Sequence, residues 1–387
     1  MKLLPGGRPR VRTGVPQPPP PPPSGRPTDD AARRLPVATS RWRPSAAGAA
    51  ARLAVLTVIL GSVLAAPLLL PAPLVLIAAK AVVFMLAALS MNVLMGYAGQ
   101  VSLGHGAFVA VGAFASGYVL TIMQLPWAAA AVAAMSLGGL AAAVLGAVAL
   151  RVRGLYLALV TLAYDLFVTF TVLNVRALTG GGAGQPAPRP AFATDDLAYV
   201  YLGLVIVALV WVFDWRLTAS KAGRAIQALR DDERVAASWG IHVTRYKLLA
   251  FVISGTVAGL AGAYFAGIEQ IVATADFGFT LSLTIVLMTV VGGLGSRPGV
   301  VQGAIVFAAL PTLLETAHEQ LAWWPRWLGS LWEPFVGALL LVLVLVFYPG
   351  GIAQQQAPLL RWLGWQRLHA PEHVALGGGG GGPGARP

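Results

Sequence analysis

Three sets of residues have the types and spacing to do chemistry. The run Leu89 to Phe114, LSMNVLMGYAGQVSLGHGAFVAVGAF, sets Gln100, Ser102 and His105 among Gly96, Gly99, Gly104 and Gly106 in an otherwise apolar block. An amide, a hydroxyl and an imidazole can hydrogen-bond a small polar solute or one another. Facing lipid they would be costly, so they must face protein or a water-filled path. A tight helix-packing seam makes use of the same small residues, and composition does not separate the two. His105 alone reads more simply as a hydrogen-bonded packing residue than as a ligand. Asp165 stands in a second apolar block. A carboxylate there can relay protons, stand in a water-filled path or pair with a neighbouring helix. One acid with no evident partner argues only weakly for proton coupling.

The third set is the charged island Ser220 to Lys247, SKAGRAIQALRDDERVAASWGIHVTRYK. Ser220 can cap one short helix and Asp232 a second, with Glu233 in its first turn. Ala222, Ala225, Ile226 and Leu229 share one face; Arg224, Gln227, Asp231 and Arg234 share another. Ala236 and Ala237 keep the second helix narrow. Gly240 supplies a left-handed stop, and Ile241 is placed to pack back on the helix. A compact amphipathic helix of this kind suits docking into a groove on another protein; the plainer alternative is a loop held inside by its basic residues. Enzymatic chemistry finds no foothold. There is no cysteine, the histidines (His105, His242, His318, His369, His373) are scattered, no metal site suggests itself, and no Gly-x4-Gly-Lys-Ser/Thr phosphate loop occurs, so no cofactor is expected and ATP hydrolysis is not expected of this chain.

The elements that must position these residues are membrane helices. The chain of 387 residues is 57% hydrophobic and 11% charged, with mean hydropathy +0.73, which is membrane composition. With roughly 20 apolar residues per span, the sequence predicts an all-α polytopic protein of about ten transmembrane helices, with broken or re-entrant segments. Spans are expected near 52–70, 74–95, 105–123, 127–149, 154–174, 198–213, 247–268, 281–293, 300–315 and 334–348. The eighth and ninth are short and flank Gly292 to Gly299, GGLGSRPG, where Gly292, Gly293 and Gly295 must break the helix. Residues 1–50 form a Pro/Arg-rich tail, expected to be disordered and partly polyproline II, or to reflect a start placed too early. Residues 51–352 form the transport domain, with its charged loop at 216–247; residues 353–387 form a flexible glycine-rich tail. With both termini inside, only Arg176, Arg189 and Arg326 fall outside and Lys80 within a span. That positive-inside bias accounts for the net charge of +12 without nucleic acid and puts the charged island on the cytoplasmic side.

A resemblance adds to this reading. Asn92 followed by GYAGQVSLGHGAF is similar to the hallmark of the LivM-type permease subunits of branched-chain amino-acid ABC importers. The runs Arg151 to Ala163, Leu178 to Gly184, Gly223 to Gly267, Leu283 to Gly303 and Phe347 to Ile352 resemble further blocks of that family, covering roughly 74–352. Gly184-Gln185-Pro186 departs from the residues that often follow the family's Thr-Gly-Gly. The resemblance implies a permease moving branched-chain amino acids by alternating access, with Asp232, Glu233, Ala236, Ala237, Gly240 and Ile241 coupling it to an ATPase. Asn92, Gln100, Ser102, His105 and Asp165 would line the path. Its partners would be a related second permease, two cytoplasmic ATPases, an extracytoplasmic binding protein and lipid, in a bacterial inner membrane. The same machine carrying urea or short amides, and a stand-alone proton-coupled transporter, are the alternatives.

Overall fold

The computed structural model describes residues 46–149, 152, 154–179, 184–320, 339, 342 and 351–355. Most of each expected tail and most of the expected last span, 334–348, lie outside the described residues; residues 46–50, expected in the disordered tail, are helical instead. The chain divides into two units, Met1–Val55 and Leu56–Pro387. Of the first, the described part is the opening of helix α1 (Ala46–Leu69); the second carries all other elements.

These are α2 (Ala72–Met91), prolonged by a π-helical stretch Asn92–Tyr97, then α3 (His105–Thr121), α4 (Trp127–Ala149), α5 (Leu155–Phe170) and the short α6 (Arg176–Thr179). After them come α7 (Asp196–Ala219), α8 (Lys221–Asp231), α9 (Glu233–Ser238), α10 (Val243–Glu269), α11 (Phe279–Gly292) and α12 (Arg297–Gln320). Two residues each, β1 (Gln185–Pro186) and β2 (Ile271–Val272) pair antiparallel, Gln185 opposite Val272. Six helices of the described residues are long and apolar enough to cross a membrane: 73–97, 127–148, 155–174, 196–219, 243–269 and 274–292. The all-α, multi-pass membrane class fits this count of long apolar helices among the described residues.

Helix α10 is the spine, packed along α4 and α3, with α2 on another side. The close approach is made by absent side chains. A Cβ on Gly262 would stand 2.0 Å from the carbonyl oxygen of Val109, and one on Gly259 would stand 2.2 Å from that of Ala134. Small residues let helix backbones meet this closely, the means by which helices associate in lipid. Tyr199 of α7 stacks on Tyr264 of α10 with ring centroids 4.5 Å apart. Each hydroxyl donates to the other residue's carbonyl, at 2.7 and 2.9 Å. The pair thus buries two large rings with no polar atom left over. Outward, α4, α5 and α7 expose Val132, Leu140, Leu159, Phe170, Val205 and Leu209, a surface suited to lipid or to another membrane chain.

Several boundaries differ from expectation. Helix α7 runs six residues past Phe213, and α12 spans 24 residues from Arg297 to Gln320, so the ninth segment is not short. Pro298 falls in the first turn of α12, where a missing N–H is tolerated. The 3-10 turn Thr274–Asp276 extends the eighth segment to a 19-residue stretch.

Candidate helix-break and coupling site

The first break lies between α2 and α3. Gly99 turns left-handed, with φ +67°, and α3 begins inside the protein at fully buried His105. A helix start leaves N–H groups without intrahelical partners, and Gly104 supplies no capping side chain. Neighbouring helices supply the acceptors. Leu103 N–H donates to Thr161 Oγ1 at 2.8 Å, Gly106 N–H to Ser282 Oγ at 2.7 Å, and Ala107 N–H to Asp165 Oδ1 at 2.8 Å. Ser282 Oγ–H in turn donates to Asp165 Oδ1 at 3.1 Å. Asp165 is thus the acceptor at a buried helix N-terminus, where the helix dipole favours negative charge. Its second oxygen, Oδ2, has no hydrogen-bond partner among the described residues.

His105 Nε2 lies 2.7 Å from Ser90 Oγ and 3.2 Å from Ser254 Oγ. The two serines cross-donate to each other's carbonyls at 2.8 Å, so one imidazole ties α2, α3 and α10. Gln100 and Ser102 are buried as well; Ser102 Oγ accepts from Gly104 N–H at 3.4 Å. The structure therefore brings Ser102, His105 and Asp165 to one buried locus around the start of α3. A cavity of about 360 Å³ lies one turn further along α5, lined by Leu166, Thr169, Asn174, Phe277 and Phe279 among others.

The second break joins α11 to α12. Gly293 and Gly295 are left-handed, with φ +110° and +84°, whereas Gly292 ends α11 and Gly96 lies within the π-helix. The turn therefore begins one residue past Gly292, and the chain leaves the helix beyond Gly96 rather than at it. Gly104 is the residue just before α3. Asn92 Oδ1 accepts from Gly295 N–H at 2.8 Å, which fastens the first break to the second.

One polar cluster at this end goes beyond what the sequence suggested. Asp214 is 2% exposed, accepts from Tyr97 O–H at 2.8 Å and pairs with Arg297. Arg297 also reaches Thr218 Oγ1 and, at 3.2 Å, the carbonyl of Asp214. Asp165 is thus not the only acid well inside a helix. Ending the sixth span at Phe213 hid Asp214; an acid one residue past an apolar run, with one arginine in the Gly292–Gly299 turn, was the available signal.

In the charged island the expected caps form. Ser220 Oγ accepts from Gly223 N–H at 3.1 Å, and Asp232 Oδ1 from Arg234 and Val235 N–H at 2.7 and 3.2 Å. The N–H groups of Val235 and Arg234 hold the Asp232 carboxyl below the usual carboxylate range, so acid weakens this cap as pH falls through its lowered pKa. Gly240 is left-handed, φ +80°, and Ile241 N–H returns to Ala236 O at 3.1 Å. Ala225, Ile226, Leu229 and Ala236 are buried, whereas Ala237 is exposed. Glu233 pairs with Lys247 of α10, an anchor within the chain. Val235 of α9 and Trp239, the residue that caps its C-terminal end, are 53% and 81% exposed.

Residues 74–345 match the family model described as the permease component of branched-chain amino acid transport systems. The chain is 30% identical over 317 residues to the high-affinity branched-chain amino acid transport system permease proteins LivM of Salmonella typhimurium and Escherichia coli, covering 74% of this chain and 71% of each relative. It is 31% identical over 147 residues to the autoinducer 2 import system permease protein LsrC of an Enterobacter species, covering 38% of this chain and 41% of that one. No solved structure matches the chain. With the family model spanning well over half its length, the chain belongs to the permease components of branched-chain amino acid transport systems.

Proposed function

We propose that this chain is one permease of an ATP-driven importer for branched-chain amino acids, working by alternating access. The observation that carries the reading is the α8–α9 pair. It is capped at both helix starts, anchored by Glu233–Lys247, and left with Val235 and the C-terminal cap residue Trp239 exposed. An apolar knob on a short rigid helix is what a groove on an ATPase would grip. Asp232, Ala236, Ala237, Gly240 and Ile241 shape that helix, and Glu233 holds it.

The machine would contain a related second permease, two cytoplasmic ATPases and an extracytoplasmic binding protein, in a bacterial inner membrane with both termini inside. About ten spans complete the fold: the six long apolar helices, α1, α3, α12 and the expected 334–348 segment. Residues 1–50 would be a tail, 51–352 the transport domain and 353–387 a second tail. Substrate would pass near the broken segment, with Asn92, Gln100, Ser102, His105 and Asp165 beside its route. Asp165 Oδ1 already serves a helix start, which speaks against a proton relay. The test is uptake of labelled leucine, isoleucine and valine into vesicles holding the co-expressed complex. ATP- and binding-protein-dependent uptake is expected. Uptake of urea or short amides alone would reassign the cargo, and uptake driven by a proton gradient without ATP would overturn the class.

A further inference from the structure

The geometry points to Arg230 as the positioning residue through which the coupling helices move both helix breaks. This rests on the importer reading. Arg230 stands at the end of α8, two residues before the Asp232 cap of α9. It is exposed overall, yet its guanidinium Nη1 donates to the carbonyl of Gly96 in the π-helical end of α2. A cation there meets the negative end of that helix's dipole and carbonyls lacking intrahelical partners.

Both breaks are shaped around this side chain. A Cβ on Gly99 would stand 3.1 Å from Arg230 Cγ, and one on Gly295 would stand 3.3 Å from Arg230 Nη1. The arginine therefore lies against two left-handed glycine turns, one on each break, while Asn92 Oδ1 accepts from Gly295 N–H and holds the turns to each other. From there each break leads inward. Residues 100–104 run to the start of α3, where Asp165 and Ser282 accept its N–H groups. Helix α11 runs from the Gly293 turn back to Ser282 itself. A displacement of α8 would pull on Gly96 and Gly295 together, and both lines end at the Asp165–Ser282 locus beside the proposed route. Arg297 is separate: it holds α12 to α7 through Asp214 and Thr218 and touches no residue of the coupling helices in the described contacts.

The experiment uses the whole complex in vesicles: both permeases, both ATPases and the binding protein, with leucine as cargo. Uptake per ATP hydrolysed is compared with co-purification of the ATPases. Arg230→Gln should leave co-purification and basal ATPase activity near wild type and lower uptake per ATP about tenfold, a usual size for coupling between two sites. Arg230→Lys keeps a cation able to reach Gly96 O and should recover much of the ratio. Asn92→Ala should lower the ratio too, and adding Arg230→Gln to it should lower it little further, because both changes cut one link. Wild-type uptake per ATP in Arg230→Gln, or additive losses in the double variant, would overturn the role. So would loss of the ATPases from the Arg230→Gln complex, which would make Arg230 an assembly residue. A wild-type chain that retains no ATPase would instead overturn the importer reading and this role with it.

Discussion

At the scale of single residues, the buried carboxylate changes meaning once its neighbours are known. From sequence, Asp165 is an isolated acid in an apolar run, and proton transfer is one of its natural readings. In the fold, Oδ1 accepts from Ala107 N–H and from Ser282. A cap of this kind needs an acceptor, not a titratable proton. Asp165→Asn keeps a carbonyl oxygen and should retain most ATP-dependent uptake. Asp165→Ala strands a buried N–H and should cost about 1–3 kcal/mol of stability, seen as a lower melting temperature in detergent. A proton relay makes the opposite prediction, with Asp165→Asn as inactive as Asp165→Ala. That His105 would be hydrogen-bonded inside the protein was legible, but its partners Ser90 and Ser254 lie 15 and 149 positions away in the chain. No local pattern carries pairings at such separation.

At the scale of elements, the legible parts were those with local rules. The Ser220 and Asp232 caps and the Gly240 stop follow from side-chain hydrogen bonding and left-handed backbone within a few residues. Helix ends were less legible, because α7 passes Phe213 to carry Asp214 to Arg297, a contact between distant segments. The two kinds of glycine make separate predictions. Gly240 has open space where a Cβ would go, so Gly240→Val acts through backbone strain alone, about 1–2 kcal/mol. It should reset the angle at which α9 meets the ATPase, lowering substrate-stimulated ATPase activity while membrane insertion stays normal. Gly262 is already against Val109 O, so Gly262→Val must push α10 off α3. Overpacking of this sort costs roughly 1–3 kcal/mol or more, and the detergent-solubilised protein should melt several degrees lower. Gly61→Val, at a position with nothing within 4 Å, should melt as wild type.

At the scale of the whole molecule, composition made the membrane class readable, because the bilayer imposes its rules on whole segments; the distribution of arginine and lysine predicts an orientation. How the segments meet was not readable, since the seam on α10 depends on which glycine faces which carbonyl. Orientation and docking can be tested together, because the chain has no cysteine and one introduced thiol reports alone in this subunit. Trp239 at the C-terminal cap of α9 and Phe192 in the loop before α7 are 81% and 71% exposed, so a thiol at either position meets reagent without unfolding. If the charged island is cytoplasmic, α7 crosses between them, and a membrane-impermeant maleimide should label Phe192→Cys in intact cells and Trp239→Cys only in inside-out vesicles. If α9 seats in an ATPase groove, co-expressed ATPases should slow labelling of Trp239→Cys at least about tenfold and leave Phe192→Cys unchanged. Labelling of both thiols from the same side would overturn the topology. Trp239→Cys labelling that is indifferent to the ATPases, in a complex that still transports, would leave the orientation standing and move the docking surface off α9.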